Sequence, residues 1–356
     1  MSGYGTPSWL IFLMNHEAHI SIIGVIVNIF HIFILTRKEM RTSSTNVIMT
    51  GIAISDAYYS GLPVWKFVKT KWDYWDGCYV PPSYIAQLFY LISEALRDNA
   101  KRCSVFLGLS LAIIRVLVIK KPLSFDNTTG SRFGLKTSLS AVFFSSIISF
   151  LYFLRSTVKA YENVWSPDAK YSGCDPADFP MNYTRVRYGI TTSELGSWNN
   201  SMYGYPGQAT VIQMFHILPA ALFPILTVIL ARELHKIIAN HNKLFSDKKS
   251  EKSNLTTRLV TYMTISFLIS TVPSGVLYLW YSYFCDTDIC RFTIFNWILA
   301  CPILFDVNTN THFLINLFAS TQYRGTVKRV LRIRTEQESV ENTVSVTNAM
   351  RENVPS

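Results

Sequence analysis

The sequence predicts an all-α membrane protein in which seven transmembrane helices form one bundle and a short amphipathic helix follows the last span. Two observations lead to this prediction. Charged residues make up only 16% of the 356 residues and hydrophobic residues 49%, whereas a typical soluble domain is about 25% charged. Stretches 259–285, 211–231 and 18–36 contain no Asp, Glu, Lys or Arg, and about 20 apolar residues suffice to cross a bilayer as a helix.

Six spans follow from hydropathy, and a seventh is required between the second and the fourth. The predicted spans are 9–36, 45–67, 84–119, 134–154, 210–231, 257–283 and 292–318. The third contains five charges in its first half, a number that would normally exclude a span. It is retained because residues 103–119 contain no charge other than Arg115 and because the flanking charges alternate only if the chain crosses there. The bundle is thus expected to occupy residues 9–318.

Basic residues concentrate on one side of this topology. The loops after spans one, three and five, together with the segment after span seven, contain 20 of the 33 Lys and Arg residues. Cytoplasmic loops hold the excess of Lys and Arg, so residues 1–8 are expected outside the cell and the C-terminus in the cytoplasm, in a multi-pass plasma-membrane protein. Asn182 and Asn199 lie in glycan acceptor sequons on the predicted outer side and are expected to be glycosylated.

The net charge of +10 is explained by topology and by contact with anionic lipid, and no nucleic-acid partner is expected. After the last span, apolar residues such as Tyr323 and Val327 recur at helical spacing with Arg and Lys between them. This pattern predicts an amphipathic helix over 319–333 on the inner membrane surface. Residues 334–356 are polar and are predicted to be a disordered cytoplasmic tail.

Four of the six cysteines fall in predicted outer loops, where disulfides persist: Cys78, Cys174, Cys285 and Cys290. Four cysteines allow three pairings. A bridge between Cys78 and Cys174 across two loops is favoured, and a local bridge between Cys285 and Cys290 goes naturally with it.

The sequence contains no P-loop, GxSxG, HExxH or Rossmann fingerprint and no His/Cys cluster with metal-ligand spacing. Neither an enzyme nor a cofactor is therefore expected. The alternative class is a membrane transporter or channel with a pathway along the charged third span. A pore would need polar residues at matched depths on several spans, and only the third span is rich in them.

Five charged residues of the third span share one face of the helix: Glu94, Arg97, Asp98, Lys101 and Arg102. At 100° per residue they fall within an arc of about 140°, so this face is expected to look into the bundle. Pairs three or four residues apart can partly neutralise it. Glu94 can pair with Arg97, and Asp98 can pair with Lys101 or with Arg102. One positive charge remains unbalanced.

Several residues, in order along the chain, resemble motifs of the rhodopsin-like G-protein-coupled receptors. Span two contains Asp56, span three ends in Arg115 with Lys-Lys-Pro a few residues later, and span six contains Phe267 and Pro273. Within that group, Cys-Tyr-Val-Pro-Pro at 78–82 and the run around Arg115 resemble nematode serpentine receptors of class W. Those chemoreceptors are similar to FMRFamide-type neuropeptide receptors.

The resemblance covers about residues 9–333. It implies a receptor that binds an extracellular ligand, either a peptide or an environmental chemical, and activates a heterotrimeric G protein. It also implies roles in activation and G-protein coupling for Asp56, Ser104, Asn308, Pro273 and Arg115.

Among these residues, the resemblance implies that Asp56 is an activation relay that binds a sodium ion and is faced by Ser104 and Asn308. It places Asp306 of span seven across the ligand cavity from Arg97. We expect Arg97 and Asp306 to pair, with exchange of their charges restoring part of what either single change loses. Five of these charged residues are expected to line the ligand site: Glu94, Arg97, Asp98, Lys101 and Asp306.

The sequence departs from the family pattern at the activation motifs. The acid that usually precedes the motif Arg is Ile114, and the Trp usual in span six is Thr271. Span seven reads His-Phe-Leu-Ile-Asn at 312–316 in place of Asn-Pro…Tyr. Without the neighbouring acid, the inactive-state lock on Arg115 is expected to be weaker.

Overall fold

The computed structural model describes residues 7–73, 78–120, 130–154, 156–167, 173–194, 207–241 and 248–331. Within these residues, seven long helices overlap the seven predicted spans, which confirms the predicted fold class. They are α1 (Ser8–Leu35), α2 (Ser44–Asp73), α3 (Tyr84–Lys120), α4 (Ser131–Phe153), α5 (Gly207–His241), α6 (Lys248–Tyr283) and α7 (Asp288–Ala319). An eighth, short helix, α8 (Thr321–Val330), follows directly.

Five segments within the described residues are long and apolar enough to cross a membrane: Ser8–Leu35, Tyr84–Lys120, Ser131–Leu151, Thr257–Tyr281 and Asp288–Ala319. They belong to α1, α3, α4, α6 and α7. The third helix runs unbroken through its charged half. An α-helix satisfies its backbone hydrogen bonds internally, so a charged stretch can remain in the bundle where its side chains find partners.

Helix α3 lies at the centre of the bundle and packs against α2, α4, α5 and α6, while α1 packs between α2 and α7. The core around α3 contains fully buried Leu107 and Ala112 together with Phe223 of α5, Phe267 of α6 and Phe305 of α7. Glycine at position 108 of α3 allows close packing against α6, because a Cβ atom there would lie 2.5 Å from Cε2 of Phe267 and force the ring to shift.

A two-stranded antiparallel sheet lies in the connection between α4 and α5, where only helices and loops were predicted. Strand β1 (Ser156–Ala160) pairs with β2 (Tyr188–Thr192), and a 3₁₀ turn (Pro176–Asp178) lies between them. The sheet contacts the start of α3, where Gln87 donates to the Tyr188 carbonyl at 3.2 Å. Strands of five residues in a polar connection carry too little periodicity to be recognised from sequence.

Two disulfides join the segments next to the N-terminal ends of α3 and α7. Cys78 bonds to Cys174, which ties the β1–β2 connection to the chain before α3, and Cys285 bonds to Cys290. Asn182 is exposed in the same β1–β2 connection. Asn199, the other predicted glycan acceptor, lies outside the described residues.

Helix α8 packs its apolar side against α1 and α7. Tyr323 is fully buried, and its hydroxyl lies 2.7 Å from Nδ1 of His31 on α1. Burial raises the pKa of the Tyr323 hydroxyl. Lys328 and Arg329 are exposed on the other side. This is the distribution expected for the amphipathic helix predicted at 319–333. The helix ends at residue 330. The described residues end at 331, so the predicted tail at 334–356 lies outside them.

Candidate functional site

An ion-pair cluster joins α1, α3 and α7 in the part of the bundle near the N-terminal end of α3. Arg97 donates to Glu17 of α1, with 2.6 Å between Nη2 and Oε1, and the same nitrogen lies 3.8 Å from Oδ2 of Asp306 on α7. Asp306 is fully buried and accepts a hydrogen bond from Ser21. The structure thus brings Arg97 and Asp306 together as predicted, but Glu17 is the closer partner.

The remaining charges of the α3 face point to other helices. Glu94 forms an ion pair with Lys66 of α2. Asp98 pairs with Arg102 at 2.5 Å, and Arg102 is buried against α4, where it donates to Ser149 at 2.9 Å. The predicted pairing of Glu94 with Arg97 is therefore wrong. Glu94 has a closer opposite charge on α2, and Arg97 has a closer one on α1.

Lys101 is the one base of this face that makes no ion pair within the described residues. Its ammonium lies 5.3 Å from the centroid of the Phe305 ring on α7, next in sequence to Asp306. With the partners from α1, α2 and α7, the cluster holds four acids and four bases: Glu17, Glu94, Asp98, Asp306, Lys66, Arg97, Lys101 and Arg102. The positive charge that seemed unbalanced on α3 alone is therefore balanced across the bundle.

Asp56 of α2 lies at the centre of a second polar cluster. Ser104 of α3 donates to Oδ1 at 2.7 Å, and Nδ1 of His312 on α7 lies 2.7 Å from Oδ2. All three side chains are buried. Asn308, expected to face Asp56, instead accepts a hydrogen bond from Ser266 of α6 at 2.5 Å. His312 takes its place because it reaches Asp56 from one helical turn further along α7.

This donor set does not fit the sodium ion that the resemblance implies. A hard cation prefers oxygen ligands, usually six or so in number. Here an imidazole nitrogen occupies the second carboxylate oxygen of Asp56, and the amide oxygen of Asn308 is engaged by Ser266. Of the three predicted ligands, only Asp56 and Ser104 keep side-chain oxygens to offer, which is too few for a sodium site.

We expect sodium to leave the stability of the purified protein unchanged. An ion present at ten times its dissociation constant would stabilise the folded state by about 1.4 kcal/mol, enough to raise the melting temperature measurably. The test compares thermal unfolding in sodium chloride and in potassium chloride at equal ionic strength. A melting temperature that rises with sodium and no longer does so in Asp56→Asn would contradict this expectation.

An aromatic contact links α5, α6 and α7 beside α3. The Phe267 ring stacks on Phe223 with 5.4 Å between centroids and an interplanar angle of 6°, and its centroid lies 4.8 Å from that of His312. Pro273 lies further along α6, in the interior of that helix. Phe267 therefore connects the Asp56 cluster, through His312, to the proline-containing helix.

At the inner end of α3, Arg115 is held by a hydroxyl group. Its Nε donates to Oγ1 of Thr257 on α6 at 2.9 Å, its Nη2 donates to the same oxygen, and Thr257 is fully buried. The acid that usually precedes this arginine is Ile114. Thr257 thus supplies a neutral inter-helix contact at the position where the sequence predicted a weakened lock.

A family model described as serpentine-type seven-transmembrane GPCR chemoreceptor Srw matches residues 15–334, a range that includes every cluster described above. The chain belongs to this family. The predicted resemblance to class W serpentine receptors is thereby confirmed.

Two curated relatives are similar to the receptor. One is the sex peptide receptor of Drosophila melanogaster, 22% identical over 271 residues that cover 72% of this chain and 57% of the relative. The other is the G-protein coupled receptor dmsr-1 of Caenorhabditis elegans, 25% identical over 260 residues that cover 66% of this chain and 45% of the relative. The chain spans about half the length of the curated relatives it matches.

The residues that position the receptor's clusters but were not identified from sequence include Glu17, Thr257 and Phe223. Glu17 had a usable signal, since it is an acid within a predicted span, directly before the uncharged run at 18–36, and intramembrane acids seek partners. Thr257 and Phe223 had none, because a threonine or phenylalanine in an apolar span is ordinary composition.

Proposed function

We propose that the receptor lies in the plasma membrane with its N-terminus outside, binds an extracellular peptide, and activates a heterotrimeric G protein rather than catalysing a reaction. The family supports a receptor, and the Drosophila relative, a sex peptide receptor, supports a peptide ligand. The observation on which the proposal chiefly rests is the contact between Arg115 and Thr257, which joins α3 and α6 by a bond that outward movement of α6 would break.

The comparisons give no support to a transporter or channel, and the geometry offers a physical reason to set that alternative aside. A pathway would need the charges of α3 to line one continuous passage. Instead, Glu94 is paired with α2, Arg97 with α1 and α7, and Arg102 lies against α4. These three side chains therefore connect α3 to different neighbouring helices and do not line one passage.

The proposed ligand site lies where α3 faces α7, at Arg97, Lys101 and Asp306. Of the five residues predicted for this site, Glu94 and Asp98 are turned toward α2 and Arg102, so their proposed role is to hold α3 in place. Lys101 is half-buried and remains available to a ligand group, and its neighbour Phe305 is part of α7.

A continuous series of contacts leads from this site to the inner end of the bundle. Phe305 and Asp306 share α7 with His312, which touches both Asp56 and Phe267. Phe267 shares α6 with Thr257, which holds Arg115. A ligand that favours a different position of α7 would therefore shift the balance between two arrangements of α6. Spatial contact alone does not establish coupling, so the test must alter the contact at the far end.

We expect opposite effects from removing the two partners at the inner end. Thr257→Val keeps the side-chain shape but deletes the acceptor, and losing a hydrogen bond worth about 1 kcal/mol should raise basal nucleotide exchange about fivefold. Arg115→Ala should abolish agonist-driven exchange, because the side chain proposed to contact the G protein is gone. Exchange is measured in membranes with equal receptor density, with ligands from a peptide library and ion flux recorded in parallel.

The matched control is Thr264→Val, two turns along α6. Thr264 is equally buried, but its hydroxyl donates only to the Val260 carbonyl of its own helix, so basal exchange should stay at the wild-type level. Wild-type signalling by Arg115→Ala would contradict the proposed function. A current or flux without nucleotide exchange would favour the channel or transporter instead.

A further inference from the structure

A cavity of about 620 Å³ lies between α3 and α4, on the inner half of these helices and away from the ligand site. Its walls are mostly apolar: Phe106, Leu109, Phe133, Ala141, Phe144 and Ile148. Phe144 is exposed on the outside of the bundle, so the cavity is a groove that opens toward the membrane. A molecule entering it would come from the bilayer and not from the aqueous phase.

One end of the groove is basic. Lys136 lines it, is exposed, and forms no ion pair within the described residues. No acidic side chain lines the groove among the residues that the structure describes. Lys136 lies less than two turns from the start of α4, at the level of the inner headgroups in the proposed orientation, where anionic lipids concentrate.

The lining of the groove becomes less polar with distance from Lys136 along α4. Thr137 and Ser110 also line the groove, but both hydroxyls donate to carbonyls of their own helices, so they offer no donor to a ligand. Ser140 lies one turn beyond Lys136 on the same face of α4, where its exposed hydroxyl can donate to an ester carbonyl. Beyond it the lining is Ala141, Phe144 and Ile148.

The length of the groove matches one leaflet of a bilayer. Twelve residues separate Lys136 from Ile148, about 18 Å along the helix at 1.5 Å per residue. Half of the hydrocarbon core is about 15 Å thick. An acyl chain whose phosphate lies at Lys136 would therefore run the length of the groove, whereas a sterol would leave the lysine without a counter-charge.

We propose that this groove is a binding site for one anionic glycerophospholipid of the cytoplasmic leaflet. The phosphate pairs with Lys136, an ester carbonyl accepts from Ser140, and one acyl chain packs between α3 and α4. The assignment to the cytoplasmic leaflet rests on the orientation given under the proposed function. The site itself does not depend on G-protein coupling, and its test does not use signalling.

The test is native mass spectrometry of the purified receptor in neutral detergent with equal amounts of phosphatidylserine and phosphatidylcholine. We expect one phosphatidylserine to be retained per receptor. Lys136→Ala should weaken its binding about fivefold, the effect of one basic side chain near an anionic headgroup. Ser140→Phe should fill the groove beside Lys136 and reduce retention of phosphatidylserine. Lys328→Ala, which removes an exposed lysine of α8 on the same membrane side, should bind like the wild type.

Photo-crosslinking with a phosphatidylserine that carries a diazirine near the end of one acyl chain gives an independent readout. The label should map to α4 around Phe144 and Ile148 or to α3 around Phe106. Labelling spread evenly over the outer faces of all helices would overturn the proposal, as would equal loss of phosphatidylserine from Lys136→Ala and Lys328→Ala. Retention of added cholesterol in place of phosphatidylserine would overturn the proposal as well. So would a receptor dimer whose interface covers the groove at α4 and contains no lipid.

Discussion

Replacing Arg97 by alanine is expected to destabilise the receptor by about 3–5 kcal/mol, the cost of leaving a buried charge unpaired. Arg97 is the only base within ion-pair distance of both Glu17 and Asp306 among the described residues. Without it, two acids on α1 and α7 face each other in the membrane interior, and Asp306 has no exposed surface. Poor surface expression and a much lower melting temperature should result.

The measurement is thermal unfolding of the solubilised receptor, together with its surface density in cells. The matched control is Arg329→Ala on α8, which breaks an arginine–glutamate pair whose side chains are 58% and 50% exposed. An exposed pair contributes about 0–1 kcal/mol, so this variant should remain close to the wild type. Equal stability of the two variants would show that the ion pairs of Arg97 with Glu17 and Asp306 do not stabilise the fold.

The charge exchange between Arg97 and Asp306, which the sequence favoured as a rescue, is now expected to perform poorly. An aspartate at position 97 would face Glu17, the partner at 2.6 Å, and create a repulsive pair. The better exchange is Arg97→Glu with Glu17→Arg, which keeps opposite charges at the short contact. Its stability should exceed that of either single variant.

Adding one methyl group at Gly108 is expected to destabilise the bundle by about 1–3 kcal/mol through overpacking and to change basal signalling. The new Cβ would lie 2.5 Å from Cε2 of Phe267. The ring has little room to retreat, because it is fully buried, stacked on Phe223 and close to His312. A displaced Phe267 shifts α6, the helix that holds Arg115, so Gly108→Ala should change basal nucleotide exchange as well as stability.

Gly61→Ala is the matched control for this substitution. Gly61 lies inside α2, and a Cβ added there meets nothing within 4 Å. Alanine should therefore be neutral or stabilise by up to about 1 kcal/mol through helix propensity. Phe267→Leu, combined with Gly108→Ala, should relieve the clash and recover stability. If Gly108→Ala unfolds at the same temperature as Gly61→Ala, the contact between α3 and α6 does not constrain the ring.

The number, order and approximate bounds of the helices could be predicted from hydropathy and charge along the chain. In a bilayer each span must satisfy its own backbone hydrogen bonds, so hydropathy and flanking charge are nearly sufficient. The helical period also placed the α3 charges on one face, and the structure places Arg97 of that face near Asp306 of α7. The small β1–β2 sheet was not predicted, because it lies in a polar connection where neither hydropathy nor periodicity gives a signal.

The partner of each polar group, in contrast, becomes clear from the packing of the helices. Glu17 lies closer to Arg97 than Asp306 does, His312 and not Asn308 binds Asp56, and Thr257 holds Arg115. These pairings depend on the rotation and axial register of neighbouring helices. Register is set by close packing of side chains, which is a property of two surfaces together. The residues of one helix alone therefore do not show how it is rotated or shifted against its neighbours.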